Sequence, residues 1–417
     1  MRSAIVKASR VTGRAINCKL VASYLDRVVI IGGGPAGSSL AIRLADRGFD
    51  VTLIEREHFP RHKLCGEFIS PECLSHFGEL GVLDSLLAAG GERVYETHFY
   101  DRHGKGFIVP SGVFNGVGYA LSLSRCEMDA RLLKRAHESG VTVFEGHRPT
   151  TVQMSGDSLI ALETADENGE HQRFTGHLFI DATGRSRALS KLVERARANG
   201  KRARSKASIA LGFKTHLDGV RLPSERCEIY SFPGGYGGLT TVEHGLANLC
   251  FLMDPRAARN IGTDPNLLMK KAVAANRRAA SALENAEPVR EWLAVSVNAF
   301  GRSQPGAAKN LFTVGDAAAF IDPFTGSGIL MALESSALLA KNIEACADSV
   351  EAVRHNYQAA FRETFSTRLR ICSLLRRTAF LPVAPSLAIR FLELSKRSRN
   401  FITGLTRPGH TTRVKSP

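Results

Sequence analysis

The sequence lacks several features that would assign its class at once. Its eight cysteines, in 417 residues, never form Cys-x-x-Cys, which excludes the usual zinc, iron–sulfur and thioredoxin-type spacings. No apolar run reaches the roughly 18 to 20 residues that a membrane-spanning helix needs, and there is one tryptophan, Trp292. Scattered cysteines are typical of free thiols in a reducing cytosol. We therefore expect a cytoplasmic chain with no metal site and no integral membrane segment.

Acidic residues are missing where the basic ones concentrate. Residues 1–25 contain five Lys or Arg and no acid, and residues 351–417 contain 13 Lys or Arg against three Glu. Residues 26–350 are neutral, so the two ends carry the whole net charge of +15. A nucleic-acid enzyme would carry its basic surface near its active site, so we expect no nucleic-acid partner.

Each basic end has two interpretations. Residues 1–25 resemble a targeting (transit) peptide, although a tail or a start codon assigned too far upstream would have the same composition. In residues 351–417, apolar stripes at helical spacing are interrupted by Pro382 and Pro385, which predicts at least two helices. They form either a helical cap on the main body or an amphipathic basic surface in peripheral contact with an anionic membrane.

The first informative motif is rich in glycine. An apolar run, Val28–Ile31, leads into Gly32, Gly34 and Gly37, which is the spacing G-x-G-x-x-G after a strand. The first glycine permits a tight turn, the second a close approach of pyrophosphate, and the third close packing of helix on strand. A helix is predicted over residues 35–46, with Pro35 in its first turn and free N–H groups aimed at the phosphates.

A second strand completes this unit. Residues 51–54 are apolar and end at Glu55, 18 residues after Gly37, where a carboxylate can accept hydrogen bonds from ribose hydroxyl groups. The unit predicts a dinucleotide site. By itself it does not separate FAD from NAD.

A second glycine-rich segment lies far along the chain. An apolar strand, Leu311–Val314, runs into Gly315-Asp316, and Pro323 and Gly326-x-Gly328 then open a long helix. This pattern resembles the second FAD motif of the para-hydroxybenzoate hydroxylase-like flavoproteins, which include aromatic monooxygenases and geranylgeranyl reductases. The resemblance implies that Asp316 binds a ribityl hydroxyl group and that amides of Gly326 to Gly328 lie near the flavin pyrimidine edge.

Three further segments support the resemblance. Arg125, after Leu121–Ser124, matches the family arginine near the FAD phosphates. Residues 179–186 match the middle motif, although Ala182 and Thr183 separate Asp181 from Gly184, as they often do in the reductase branch. Taken together, the motifs predict these cofactor-binding residues: Gly32, Gly34, Pro35, Ala36, Gly37, Glu55, Arg56, Arg125, Asp181, Gly184, Gly315, Asp316, Pro323, Gly326, Ser327 and Gly328.

Two segments resemble the geranylgeranyl reductase branch in particular. Cys65-Gly66 matches a segment that lies close to the flavin ring, so Cys65 is the candidate catalytic residue, with a buried structural thiol as the alternative. Residues 229–238 resemble that branch's aromatic-Phe-Pro strand over the substrate pocket.

The expected fold is α/β, with a Rossmann-like (glutathione-reductase-type) FAD-binding domain built from discontinuous segments. Residues 26–92, 119–182 and 297–350 would form it. Residues 93–118 and 183–296 would form an inserted antiparallel-sheet substrate domain, which includes a hairpin turning at Asp101–Gly104. Residues 351–417 would add C-terminal helices.

The resemblance implies an FAD-dependent oxidoreductase acting on a small apolar, isoprenoid- or polyketide-like substrate. The reductase branch implies hydride transfer to a carbon–carbon double bond, and the hydroxylase branch implies transfer of oxygen from O2. Only one G-x-G-x-x-G follows a strand, so NAD(P)H would dock transiently as reductant. An electron-transfer flavoprotein to quinone is disfavoured because clustered cysteines are missing, and the halogenase motif Trp-x-Trp-x-Ile-Pro is absent.

Overall fold

The structure is a computed structural model that describes residues 25–114, 116–198, 208–303, 306–322 and 326–379, with side chains as far as Leu374. Residues 1–24, Pro323 and the segment containing Pro382 and Pro385 lie outside the described residues, and so do the predictions made for them.

The strands are β1 (Arg27–Ile31), β2 (Asp50–Ile54), β3 (Phe68–Ile69), β4 (Glu92–Val94), β5 (Glu96–Tyr100), β6 (Gly106–Pro110), β7 (Ala120–Ser122), β8 (Thr142–Phe144), β9 (Arg148–Ser155), β10 (Ser158–Ala165), β11 (His171–Thr175), β12 (Leu178–Asp181), β13 (Ala210–Asp218), β14 (Arg226–Phe232), β15 (Gly235–Thr241), β16 (Ala247–Met253), β17 (Glu287–Pro288), β18 (Leu293–Val297), β19 (Gly301–Arg302), β20 (Leu311–Thr313) and β21 (Ala319–Phe320). The helices are α1 (Pro35–Ala45), α2 (Pro71–Glu79), α3 (Leu83–Leu87), α4 (Arg125–Glu138), α5 (Ala188–Arg197), α6 (Pro255–Ile261), α7 (Pro265–Lys271), α8 (Arg277–Ala282), α9 (Gly328–Ala345) and α10 (Val350–Ala379).

A five-stranded parallel sheet in the order β20-β12-β1-β2-β8 forms the centre of the fold. On β1, Val28 and Ile30 pack into one core with residues of α1, α4 and α9, whereas Val29 and Ile31 pack into another with residues of β10 and α5. Both faces are covered, which explains why β1 is continuously apolar rather than alternating. The predicted Rossmann-like α/β fold is confirmed.

A second, larger sheet forms a roof over the carboxyl ends of β1 and its neighbours. Its order is β17-β13-β16-β15-β14-β5-β6, and β18 pairs with β13. The predicted hairpin is confirmed as β5 and β6, which turn through Gly104 at φ +79°. The expected antiparallel sheet contains one parallel pair, β5 with β14. Because these two strands come from separate insertions, no tight turn forces them to run in opposite directions.

Helix α10 is the described part of the predicted C-terminal helical region. It extends over 30 residues, and its buried side includes Tyr357, Phe361 and Phe365, which join the core of the parallel sheet. No helix among the described residues is long and apolar enough to cross a membrane.

Candidate functional site

A single cavity of about 930 Å³ lies between the parallel sheet and the roof. Gly32 and Gly34 of the first glycine-rich segment line it, and so do Asp316 and Gly328 of the second. Strands β14 to β16 and β18 line the opposite wall. The fold therefore brings the two distant motifs onto one cavity at the carboxyl ends of parallel strands, where ligands bind in open α/β sheets.

Two glycines in the first turn are required by close backbone approach. Gly32 has φ +107°, and a Cβ there would lie 2.4 Å from the carbonyl oxygen of Ala182. A Cβ on Gly37 would lie 1.8 Å from the carbonyl oxygen of Gly32. Helix α1 begins at Pro35 with no side-chain cap. Its first N–H groups are therefore available to a phosphate at the cavity wall.

Glu55 closes the turn from the end of β2. One carboxylate oxygen accepts a hydrogen bond from the Gly33 N–H at 2.7 Å, and the other accepts from the N–H groups of Arg56 and Glu57 at 3.0 and 3.1 Å. Glu55 and Arg56 both line the cavity. The carboxylate thus fixes the glycine turn as well as presenting an acceptor beside it.

Two nearly buried arginines meet at Gly34. A Cβ on Gly34 would lie 3.7 Å from Nη2 of Arg125 and 3.8 Å from Nη2 of Arg61. Arg125 holds Asp129 through Nε and Nη2 at 2.8 and 2.7 Å. Nη1 of Arg61 lies 3.1 Å from Asp129 but, like Nε, makes no hydrogen bond. Nη2 of Arg61 lies 3.7 Å from Oε2 of Glu55, so Arg61 stands between two buried carboxylates, and its Nε and Nη1 are left without a hydrogen-bond partner for a further anion.

Burial and neighbouring charges shift the pKa values of two residues that line the cavity. Burial, with the positive charges of Arg61 and Arg125, lowers the pKa of Lys63 to about 8. Across the cavity, burial raises the pKa of Asp316 to about 6, against the opposing effect of Arg185. An anion near Lys63 would relieve the positive excess, and a hydroxyl donor near Asp316 would stabilise its charge.

Asp181 stands behind the wall rather than on it. One of its carboxylate oxygens accepts from the N–H and hydroxyl of Thr183, at 3.1 and 2.6 Å. The other accepts from the N–H and hydroxyl of Ser190, at 2.8 and 2.6 Å. This fully bonded side chain anchors the loop to α5, and Gly184 lines the cavity in its place. Asp181 does not line the cavity in this structure, and its place in the cofactor site stays a prediction.

Cys65 lines the cavity between the glycine turn and the roof. Its Sγ accepts a hydrogen bond from the Glu67 N–H at 3.4 Å, and the guanidinium charge of Arg125 acts on it from close by. Its carbonyl oxygen accepts from Nδ2 of Asn248 on β16 at 3.2 Å. Two residues along that strand, burial raises the pKa of Cys250 to about 12, so this neighbouring group is a neutral thiol.

The residue that fixes the Cys65 loop is Glu67, which is fully buried. Its Oε1 accepts from the Arg125 N–H at 2.8 Å and from Nζ of Lys214. Its Oε2 pairs with Nε2 of His216 at 2.7 Å. Burial by itself would raise the pKa of Glu67, but the bond from His216 and the charge of Lys214 outweigh it and hold this pKa below its usual range. We call Glu67, Lys214 and His216 the carboxylate clamp.

The roof contacts the cavity through small and apolar side chains of β14. Cys227, Ile229 and Ser231 line the cavity, whereas Tyr230 and Phe232 are buried in the core on the other side of the sheet. The segment expected over the substrate pocket is therefore present, but strand alternation turns Tyr230 and Phe232 away from the cavity, whereas Tyr236 on β15 lines it.

Most of the predicted binding residues meet in one place. Those that line the cavity are Gly32, Gly34, Pro35, Ala36, Glu55, Arg56, Cys65, Arg125, Gly184, Asp316, Gly326 and Gly328. Those that do not are Gly37, Asp181, Gly315 and Ser327. Gly315 and Gly37 instead serve close packing around α1, since a Cβ on Gly315 would lie 2.8 Å from that of Ala36.

Sequence reasoning missed Arg61, Lys63 and the carboxylate clamp. The first two had a signal, because three basic residues (Arg56, Arg61 and Lys63) precede Cys65-Gly66 within ten positions. The clamp had none, since its partners lie 147 and 149 residues from Glu67.

The residues present fit a bound dinucleotide. Gly32 and Gly34 place no side chain between the turn and the cavity, which leaves the backbone open to a pyrophosphate. The buried guanidinium atoms of Arg61 without a hydrogen-bond partner lie beside this turn. Positive donors facing a helix N-terminus are the chemistry that two phosphates require.

Halogenases and a reductase are among the relatives that comparison with known proteins gives. The chain is 25% identical over 340 residues to tryptophan 2-halogenase of Chondromyces crocatus, covering 76% of this chain and 61% of that protein. The chain thus spans about three fifths of the halogenase's length. It is also 25% identical over 384 residues to menaquinone reductase of Mycobacterium tuberculosis, covering 87% of each.

A solved structure confirms the fold. A geranylgeranyl bacteriochlorophyll reductase-like protein from Thermoplasma acidophilum superimposes with a TM-score of 0.73 at 20% identity, covering 91% of this chain and 95% of that one. The sequence model of a family described as FAD binding domain matches residues 26–359. The chain therefore belongs to this family, within the para-hydroxybenzoate hydroxylase-like flavoproteins, and is an FAD-dependent oxidoreductase.

Proposed function

We propose that the chain is an FAD-dependent reductase that reduces a carbon–carbon double bond of an apolar, isoprenoid-like substrate, with NAD(P)H as a transiently docked reductant. The observation that carries the proposal is the continuity of the cavity. One end has a glycine turn and arginines, and the other end has an apolar wall under the roof.

The cofactor end has a role for each predicted residue that lines it. The N–H groups at the start of α1, with Arg61 and Arg125, would hold the pyrophosphate, and Glu55 would accept from the adenosine ribose. Asp316 would accept a ribityl hydroxyl group. The amides of Gly326 and Gly328, at the start of α9, would face the pyrimidine edge, where a helix N-terminus favours negative charge.

The substrate end is suited to an apolar chain. Its wall includes Phe99, Phe107 and Ile229, with Leu252 and Val295 on the neighbouring strands. Ligand sites of this kind are mainly apolar with a few polar groups that set orientation. Here those groups are Ser231 and Tyr236, whose hydroxyl donates to Asp322.

The reaction needs two electrons and two protons. Both electrons and one of the protons are transferred together as a hydride. When bound, FAD supplies the two-electron chemistry. The chain's part is to exclude water, to hold the double bond against the cofactor and to supply the second proton. Cys65 is the candidate for that proton, because its Sγ lies on the cavity wall beside the positive charge of Arg125.

Among the sequence relatives, the extent of mutual coverage favours reduction over halogenation. The chain and menaquinone reductase cover 87% of each other. The chain covers 61% of tryptophan 2-halogenase, and its single tryptophan cannot form Trp-x-Trp-x-Ile-Pro. A lipid quinone also fits the apolar wall better than a free amino acid does.

A flavin monooxygenase (hydroxylase) is the second candidate. The observation that favours it is that the described cavity residues form no acid–base pair specific to reduction. An electron-transfer flavoprotein to quinone is less favoured, because no group of three or more His, Cys, Asp or Glu among the described residues could hold a metal ion.

The deciding experiment distinguishes reduction of the substrate from transfer of oxygen to the substrate. The purified protein is reduced with NADPH in the absence of O2, and a menaquinone or geranylgeranyl substrate is then added. Reoxidation of the flavin with formation of a product two hydrogen atoms heavier is the expected result. A product formed only after O2 is admitted, heavier by one oxygen atom, would establish the hydroxylase instead.

Cys65→Ser tests the proton donor, with Cys346→Ser as the matched control. Cys346 is distant from the cavity and accepts a hydrogen bond from Nδ2 of Asn356. We expect the first variant to retain FAD and to slow substrate-dependent flavin reoxidation about 100-fold or more, and the second to behave as the parent. Unchanged reoxidation in both would remove Cys65 from the mechanism.

A further inference from the structure

A second cavity, of about 460 Å³, lies on the outer side of α10 and shares no residue with the cofactor cavity. Its lining residues are Arg302, Phe361, Arg362, Ser366, Leu369, Arg370, Ser373 and Leu374. All but Arg302 belong to α10, and Arg362, Ser366 and Arg370 follow one another at intervals of four, which places them on one helical face. We call this feature the α10 groove.

The groove carries positive charge without acidic partners. Arg302, Arg362 and Arg370 are exposed, and none of them forms an ion pair within the part of the chain that the structure describes. Arg302 lies over the ring of Phe361 at 5.6 Å, and Nε of Arg362 donates to the carbonyl of Gln358 at 3.3 Å. Arg368, on the opposite side of the helix, is instead paired with Glu334 at 2.7 Å. The groove arginines thus keep guanidinium donors available to an anion.

The same groove presents apolar surface. Leu374 is 63% exposed, which is unusual for a leucine at the edge of an otherwise polar helical face. Leu369 is half-buried, and Phe361 forms part of the floor. A ligand that paired with the groove arginines and also covered the apolar surface would have an anionic head beside an apolar chain.

The charge of the chain indicates which kind of molecule would occupy the α10 groove. The segment that follows α10, residues 380–417, contains seven Lys or Arg and one acid, Glu393. Like charges would repel this segment from the groove, whereas both would be attracted to the same anionic surface. A free inorganic anion would leave the leucines without a role.

We propose that the α10 groove binds anionic phospholipid at a membrane surface. The guanidinium groups of Arg362 and Arg370 hold the phosphate, for which their planar donors are suited. Leu374 enters the boundary between head groups and acyl chains, as apolar residues of interfacial helices do. The groove thereby places the enzyme on the membrane surface, independently of which reaction the cofactor cavity carries out.

The test uses the full-length, FAD-loaded protein and two vesicle populations, phosphatidylcholine alone and phosphatidylcholine with phosphatidylglycerol. Flotation is expected only with the second and is expected to weaken as salt rises. The double variant Arg362→Ala/Arg370→Ala should bind about 10- to 30-fold more weakly, from the loss of two surface cations. The matched control is Arg256→Ala/Arg259→Ala, which removes two exposed arginines from α6 and should bind like the parent.

Three results would overturn the proposal. One is equal binding to both vesicle populations, and another is an equal loss of binding in the two double variants. The third distinguishes a free anion from a lipid head group: at constant ionic strength, low millimolar inorganic phosphate should not displace the protein, and displacement would indicate a soluble-anion site. Leu374→Ser should weaken vesicle binding while leaving its salt dependence unchanged, so an unaltered affinity would exclude the apolar contact.

Discussion

The carboxylate clamp gives the sharpest stability prediction, through the substitution Lys214→Met. Lys214 is 2% exposed and Glu67 is fully buried. Methionine keeps most of the volume of the side chain but removes the ammonium group that Glu67 Oε1 accepts from. The carboxylate then retains only His216 and the Arg125 N–H as partners.

The magnitude follows from leaving a buried charge partly unpaired. Removal of one partner of a buried ion pair costs about 3 to 5 kcal/mol. The lower end applies here because two hydrogen bonds to Glu67 remain, so we expect a loss of about 3 kcal/mol in the free energy of unfolding near neutral pH.

The loss should depend on pH in a defined direction. In the parent, the pKa of Glu67 is lowered, so its contribution is present above the usual carboxyl value of about 4.3 and is lost as pH falls through the lower folded value. Without Lys214, burial dominates and the carboxylate takes up a proton at a higher pH. The difference between parent and variant is therefore largest near neutral pH and shrinks towards about pH 4.

Trp292 provides the assay. It is the single tryptophan, and it packs edge-on against Phe251 of β16, which pairs with the strand that carries Lys214. Urea unfolding followed by its fluorescence therefore reports on the roof sheet. Lys270→Met, on the exposed surface of α7, is the matched control and should change stability by no more than about 0.5 kcal/mol.

The result that would refute this reasoning is a Lys214→Met loss below about 1 kcal/mol, or a loss that stays constant as the pH is lowered. The double variant Glu67→Gln/Lys214→Met guards against a purely steric effect. It removes both charges, and it should recover part of the stability lost by Lys214→Met alone.

Three further predictions concern the cofactor end. Gly37→Ala should lower stability by about 2 to 3 kcal/mol and abolish FAD retention, because its Cβ would overlap the carbonyl oxygen of Gly32; a yellow protein of parental stability would contradict this. Arg61→Met should weaken FAD binding about tenfold or more by loss of charge-assisted bonds, measured by titration of the apoprotein, with Arg131→Met on the outer side of α4 as control. The raised pKa of Asp316 (about 6) means that its charged form destabilises the folded apoprotein, so stability falls between about pH 4 and pH 7. Asp316→Asn should remove part of this fall and should also weaken FAD retention. A parental pH profile together with parental FAD retention would exclude the assigned contact.

Local signals were sufficient for the nucleotide-binding turn. The strand, glycine spacing, helix and terminal acid are consecutive in the sequence, and β1, α1 and β2 are observed within one residue of their predicted bounds. The second motif could be identified for the same reason, because residues 315–328 connect the end of one strand to the start of one helix. The reduction or oxygenation of the substrate was not accessible in this way, because no local pattern encodes it.

Side-chain direction was less accessible. In β14, a shift of one residue decides whether Tyr230 or Ile229 faces the cavity, and the tertiary packing placed Tyr230 and Phe232 against the helical side of the roof. Asp181 likewise matched a cofactor motif, but its bonds to Ser190 form only once α5 is packed beside β12.

By itself, the sequence predicted a dinucleotide site at Gly32 to Gly37, because that turn depends on backbone freedom within a few consecutive residues. It also determined the separation of a neutral body from basic ends. The tertiary structure alone decided which charges are buried together. Glu67, Lys214 and His216 meet across about 150 residues only when β13 lies over the Cys65 loop, and pairing of buried charges is a property of that packing rather than of any local pattern.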